Sequence, residues 1–360
     1  MSIDVADLNY VPTLALRSSE MNGLERLPGA TKDHIQPVFL LAPWPNALEL
    51  MRSVDRIQKA IGTRPFFLDV DRDYTITNEE SPAQQQWLDL QDPSNNYSNW
   101  IGFIESIPNC SPCLQIGGLT REQTIEQVVS FQEMERTFAL RIELNRMPPN
   151  LDDVITGVNE VGSADFAIML DAGWIEDSLV TRAALANIIR DRLGMLDANV
   201  PIVVSYTTIP KGFAEIEGSE LSTFDNRAAI TELRQLTNRQ TIVYGDWGST
   251  RPRERGIASR PKPRIDLPLR DGWLSARNKE EDWGFDDAAN EIMGSARWSE
   301  IDGSGIWGEY MIRQTAINPA VGINSPQKNV ASRVNIHLHL QAFYDNDNLQ
   351  GLNLDEQWED

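Results

Sequence analysis

Short, uninterrupted apolar runs recur along the chain, each closed by polar residues, glycine or proline. The clearest is Thr241-Ile242-Val243-Tyr244-Gly245-Asp246-Trp247-Gly248. It is too short for a helix, rich in β-formers and followed at once by glycine, which predicts a buried strand with a tight exit. Runs of the same kind occupy 10–16, 35–41, 66–71, 112–116, 138–144, 165–171 and 200–207. Apolar character without alternation means that both faces are covered, as in a parallel sheet flanked by helices.

Helical patterns separate these runs. Ser18-Ser19-Glu20 with Leu24 and Leu27 predicts a capped amphipathic helix stopped at Pro28-Gly29. Leu48, Met51, Val54, Ile57, Ala60 and Ile61 share one helical face, with Gly62 just past its end. Further helices are expected from Thr120 through Met134 and over 151–161, 179–193 and 228–236. The stretch 72–109 is less regular, with Pro82 opening a Gln-rich helix; it follows the end of the third strand, which in a barrel places it over the mouth. Eight strand-helix steps match a (β/α)8 barrel better than a doubly wound sheet. No Gly-x-Gly-x-x-Gly follows the first predicted strand, and no Walker motif or tandem repeat is present.

Beyond Gly248 the texture changes. A basic, proline-rich stretch carries Arg251, Arg253, Arg255, Arg260, Lys262 and Arg264. A hairpin follows around Asp271-Gly272, then two helices over 286–293 and 307–316. The alternation of 334–340 predicts a half-buried final strand, and 345–360 forms an acidic tail. The expected organisation is therefore α/β: a TIM-like (β/α)8 barrel over 1–250, with a C-terminal α+β extension over 251–360 packed on it.

At 360 residues and 41% hydrophobic, the chain can bury a large core. Its 53 acids against 32 bases give a net charge of -21, which disfavours a large nucleic-acid footprint or adsorption to an anionic membrane. No apolar run is long enough to span a bilayer, and Met1 to Leu8 lacks signal-peptide regions, so a cytoplasmic protein is expected. Cys110 and Cys113 form a lone pair with no second pair or nearby histidine, and ordinary reduced thiols are expected.

The active face of such a barrel lies at the carboxyl ends of its strands. Polar residues predicted there are Arg17, Asp69, Gln115, Arg141, Glu143, Asp171, Ser205, Thr207 and Asp246. Asp69, Glu143, Asp171 and Asp246 are the candidate catalytic carboxylates, able to serve as general acid and base or to hold a divalent cation. Arg17, Gln115, Arg141, Ser205, Arg260 and Arg264 are the candidate ligand-binding groups, guanidinium forks being suited to phosphate. The same charges can instead form a neutralised internal network, and the basic loop can pair with the protein's own acids. His337 and His339 fall on one face of the expected strand, but no third ligand accompanies them and no metal site is assigned. Trp44, Trp100, Trp174, Trp247 and Trp273 fall in or beside loops and strand ends, where they either line a pocket or partner surface or plug the barrel ends. There is no Gly-x-Ser-x-Gly and no histidine placed for a triad. The sequence specifies neither a cofactor nor an oligomeric state.

Taken in order, several of these segments resemble the bacteriophage-type beta protein family, also found in bacterial genomes. The resemblance covers nearly the whole chain. It rests on Tyr10-Val11-Pro12 with Arg17 and Glu20, Ile35-Gln36-Pro37, Phe67-Leu68-Asp69, Tyr244-Gly245-Asp246-Trp247-Gly248, Arg260-Pro261, Trp273 and Asn335-Ile336-His337-Leu338. The family pattern usually has a lysine where Ala15 stands and a glutamate near Leu40; both are lost here, which fits a binding version better than a catalytic one. The resemblance implies a phage or anti-phage context and no particular reaction. The expected function is a recognition component in phage-host conflict, binding a protein partner or a phosphorylated small ligand across the strand-end face. The alternatives are a metal- or acid-base-dependent hydrolase using the strand-end carboxylates, and a phage structural or accessory protein.

Overall fold

The computed structural model describes residues 5–162, 165–254, 262–346 and Leu349. Its strands are β1 (Val11–Ala15), β2 (Val38–Leu41), β3 (Phe66–Val70), β4 (Cys110–Pro112), β5 (Phe138–Glu143), β6 (Phe166–Trp174), β7 (Ile202–Thr207), β8 (Gly218–Thr223), β9 (Ile242–Asp246), β10 (Arg264–Leu269) and β11 (Gly272–Arg277). Its helices are α1 (Ser18–Glu25), α2 (Gly29–Lys32), α3 (Met51–Ile61), α4 (Pro82–Asp89), α5 (Ser98–Glu105), α6 (Arg121–Glu133), α7 (Leu151–Val161), α8 (Ser178–Asp191), α9 (Asn226–Thr237), α10 (Phe285–Gly294), α11 (Trp307–Ile317) and α12 (Pro326–Ala342).

Eight parallel strands run in the order β4-β3-β2-β1-β9-β7-β6-β5. A parallel bridge between Cys113 and Ala139 brings β4 to β5 and closes the ring into a (β/α)8 barrel. Alternation along each strand sorts the core into two layers. Val11, Val38, Leu40, Phe67, Ala139, Met169, Val203 and Val243 fill the inside, while Leu14, Phe39, Leu68, Leu140 and Ile168 face the helices. Gly245 sits where β9 is pinched between β1 and β7. A Cβ there would stand 2.8 Å from the Val11 carbonyl oxygen and 2.9 Å from Val203 Cγ1. Gly245→Ala is expected to cost about 1–3 kcal/mol through overpacking, read as a lower urea midpoint with an unchanged slope.

Most predicted elements appear near their expected bounds. The fourth strand is shifted, ending as β4 at Pro112 with only the Cys113 bridge beyond it. α3 starts at Met51, leaving Leu48 exposed. The hairpin is β10 and β11, and β8 adds to it as an exposed antiparallel edge. Cys110 and Cys113 are free and buried in different layers, and burial pushes both thiols up.

The largest correction concerns the expected final strand at 334–340, which lies inside helix α12. Past its exposed first turn α12 is enclosed by α1, α11 and β10, so 331–342 has no solvent face and no amphipathic stripe to betray it. Gly23 of α1 permits one of these approaches, since a Cβ there would lie 2.6 Å from the Ala331 carbonyl oxygen. The apparent alternation arises because Asn335, His337, His339 and Gln341 are each spent on a partner of their own. Asn335 accepts from the Gly308 amide at 2.9 Å and donates to the Gly23 carbonyl at 2.9 Å. Gln341 accepts from Arg227 at 3.1 Å. His337 and His339 therefore do not share a face: one meets Asp246, the other Thr31 Oγ1 at 2.9 Å.

Burial pushes the His339 imidazole down to about 4. The unfolded chain takes up this proton below its ordinary value of 6.5, the folded chain only near 4, so stability is full above that ordinary value and falls as pH drops between the two. The wild type is expected to lose about 2 kcal/mol from this group between about pH 7.5 and about pH 5. His339→Gln should flatten that slope in denaturant titrations.

Candidate functional site

At the carboxyl end of the barrel, β3, β5 and β6 bring Asp69, Arg141, Glu143 and Asp171 together, and the first residues after β3 and β4 add Arg72 and Gln115. Arg141 is the hub. Its Nη1 reaches Asp69 at 3.0 Å, while Nη2 reaches Asp171 at 2.6 Å and Glu143 at 3.3 Å. Arg72 bonds Asp69 at 3.2 Å, Glu143 at 3.4 Å and Gln115 at 2.8 Å. Asp69 Oδ1 also accepts from the Val70 amide at 2.8 Å and Gln115 Nε2 at 3.0 Å. Asp171 Oδ1 accepts from Trp247 Nε1 at 3.0 Å and the Gly173 amide at 2.9 Å. Burial pushes the Asp69 carboxyl up, but Arg72, Arg141 and Gln115 outweigh it and hold the group below its ordinary range. Asp69 is thus an ionised hydrogen-bond acceptor with both oxygens occupied. It has no proton to give.

Asp246 lies elsewhere. It ends β9 on the outward side, where Tyr10 from the residue before β1 and Tyr244 donate their hydroxyls to it, the latter at 2.7 Å. The Gly248 amide donates at 2.8 Å, and His337 Nε2 faces it at 2.6 Å. Burial raises the carboxyl, but His337 and the two tyrosines outweigh it and keep it ionised. His337 Nε2 therefore carries the proton in this bond. Asp246 is a rivet between barrel and α12, with no open side.

A cavity of about 470 Å³ opens between the loops after β7 and β9, the start of α1, and α12. Arg17, Arg251, Arg264 and Arg333 line it, with Glu20, Glu254 and Phe213. Arg264 and Arg333 share one carboxylate, Asp266, at 2.7 Å and 2.6 Å. Two guanidiniums pull the Asp266 carboxyl down to about 2 despite its burial. Arg333 Nε is buried without a partner among the described residues. Arg17 Nη1 holds Glu20 at 3.0 Å and the Arg251 carbonyl at 3.0 Å. The Arg251 guanidinium makes no hydrogen bond or ion pair among the described residues; burial lowers its basicity, Glu254 offsetting part of this and Arg17 and Arg264 adding to it. Burial pushes the Glu20 carboxyl up, Arg17 offsetting only part of this. The cavity wall is net positive.

A family model described as Beta protein matches residues 10–343. Protein beta of Enterobacteria phage P4 is 30% identical over 353 residues, which is 95% of this chain and 95% of that protein. The chain belongs to the Beta protein family.

Of the candidate site residues, this Beta family chain gathers Asp69, Gln115, Arg141, Glu143 and Asp171 from the strand ends into one network, and Arg17 and, from the basic loop, Arg264 around one cavity. Ser205 points into the barrel and meets Thr13 Oγ1 at 3.3 Å. Asp246 joins neither group, because its position along β9 turns it outward. Arg260 and Arg255 lie outside the described residues, as does the acidic tail beyond Asn346 apart from Leu349. Arg253 of the basic stretch is paired with Asp71 at 2.5 Å. Three participants were missed: Arg72, Arg333 and Tyr10. Arg72 directly follows a strand and was readable as a strand-end group; Arg333 was hidden by the mistaken reading of α12. The family pattern's altered positions, Ala15 and Leu40, stand in register with Asp69, so the network has an apolar flank on that side. Among the described residues no group of three or more His, Cys, Asp and Glu side chains is arranged to hold a metal ion, and no helix is long and apolar enough to cross a membrane.

Proposed function

We propose that this Beta family protein is a recognition component that binds a phosphorylated small ligand in the arginine-lined cavity at the strand-end face. The observation that carries the reading is Arg251, whose guanidinium makes no hydrogen bond or ion pair among the described residues, in a wall shared with three further arginines and Glu254, on a protein of net charge -21. An anion there recovers the hydration that burial takes from these cations and gains charge-assisted hydrogen bonds. The position supports it too. Loops after the seventh and eighth strands, with a helix start, are where barrels of this class often hold phosphate. Similarity to a phage protein is in keeping with a role in phage-host conflict.

The hydrolase reading fits less well, since the strand-end carboxylates Asp69 and Asp171 are committed to arginines and Asp246 to the rivet. A protein-partner surface built on tryptophans is also less favoured, because Trp100, Trp247 and Trp273 are buried. Calorimetry with inorganic pyrophosphate tests the proposal. Wild type is expected to bind, and Arg251→Gln to weaken binding by about tenfold, the value of one charged hydrogen bond. Absence of binding, or an unchanged variant, removes the reading.

A further inference from the structure

Beside the arginine cavity lies a second one of about 510 Å³, formed by the loops after β1, β2 and β3 with the start of α4. Arg17 lines both. The two walls differ in chemistry. The second carries Trp44 and Tyr74 together with Asn46, Asn78, Ser81 and Gln84. Arg56 covers one face of the Trp44 indole, 5.5 Å from the ring centroid, and the half-buried ring lines the cavity. The Tyr74 ring is held by Arg253 at 5.6 Å and edge-to-face by Trp87 at 5.1 Å, whereas Arg56 is the one ring contact of Trp44 among the described residues, so Trp44 is the available platform. Asn46 and Ser81 make no side-chain hydrogen bond among the described residues, and Asn78 uses only its oxygen, accepting from the Glu80 amide at 3.0 Å. Unspent amide and hydroxyl groups beside an aromatic ring suit a flat heterocycle with a hydrogen-bonding edge.

Resting on the phosphate reading above, we infer that the ligand is a nucleoside phosphate, with its phosphates in the arginine cavity and its base against Trp44. Arg17 stands between the two. Its Nη1 is occupied by Glu20 and the Arg251 carbonyl, while Nε and Nη2 are unspent among the described residues. Both cavities fall within the roughly 300–1,000 Å³ typical of small-molecule sites. A single nucleotide also escapes the objection that net charge raises against a long nucleic-acid footprint, because four arginines meet it locally. A phosphorylated sugar would use the arginines but offers Trp44 no aromatic base to stack on.

The test is calorimetry and tryptophan fluorescence on the full chain with the common nucleoside diphosphates, with inorganic pyrophosphate and a pentose phosphate as controls. At least one nucleoside diphosphate is expected to bind about tenfold or more tighter than pyrophosphate, the gain of one stacked base. Trp44→Leu should remove that gain and leave pyrophosphate affinity unchanged. Asn78→Ala, at an exposed position, should lower nucleoside binding severalfold and also spare pyrophosphate. Arg251→Gln should weaken both. If nucleoside diphosphates bind no tighter than pyrophosphate, or no tighter than the pentose phosphate, the nucleoside assignment falls while the phosphate reading stands. If none of the probes binds, both fall.

Discussion

Arg141→Met is expected to lower the free energy of unfolding by about 3–5 kcal/mol, the cost of breaking a buried ion network from one side. Arg141 bonds Asp69, Glu143 and Asp171 at once, and it and both aspartates are nearly inaccessible to water. Methionine fills much of the same volume, so the loss is chiefly electrostatic. Urea denaturation at neutral pH measures it. The pH dependence identifies the cause. In the wild type the Asp69 carboxyl is held below its ordinary value of 3.8, so its contribution is present above that value and lost as pH falls below it. Without Arg141 the carboxyl loses one of the two guanidiniums that outweigh its burial, Arg72 remaining, so it rises from its depressed position. The wild type's advantage from this group is lost as pH falls below the ordinary carboxylate value, and the variant's deficit should shrink there. A deficit independent of pH would point to packing instead.

Asp246→Asn is expected to cost about 3–5 kcal/mol as well, by turning an amide donor toward groups that are themselves donors. Four donors converge on the carboxylate, from Tyr10, Tyr244, Gly248 and His337. A catalytic Asp246 would tolerate the change with its fold intact. A rivet would not. Amide exchange separates the two: protection should fall first in α12, whose bond to the β9 carboxylate is made by His337, before it falls in β9. A variant as stable as wild type, with α12 equally protected, would show that the carboxylate is dispensable to the fold.

The barrel was legible because its strands are buried on both faces, and uninterrupted apolar runs announce that state. The strand-end network was legible for the same reason, since a charge closing such a run is easily seen. α12 was not. A helix covered on every side carries no stripe, and Asn335, His337, His339 and Gln341 entered the pattern as polar residues although each has a buried partner. β8 was missed for the opposite cause: Gly218–Thr223 is an exposed edge whose polar residues resemble a loop. Asp246 was found as a residue and misplaced in space. Reading a strand end as facing the mouth ignores the alternation that sends every second side chain outward.

The rivet also sets an order of events. Tyr10 and Asp246 are 236 positions apart in the chain, and His337 lies a further 91 beyond Asp246. During synthesis β1 must wait for β9, and the carboxylate they enclose must wait again for α12 before its last donor arrives. Pairings this distant close slowly. A nascent chain holding all eight barrel strands but not yet α12 would present Asp246 beside an uncovered apolar wall, the kind of surface that recruits chaperones. The last donor to Asp246 can arrive only once α12 has left the ribosome.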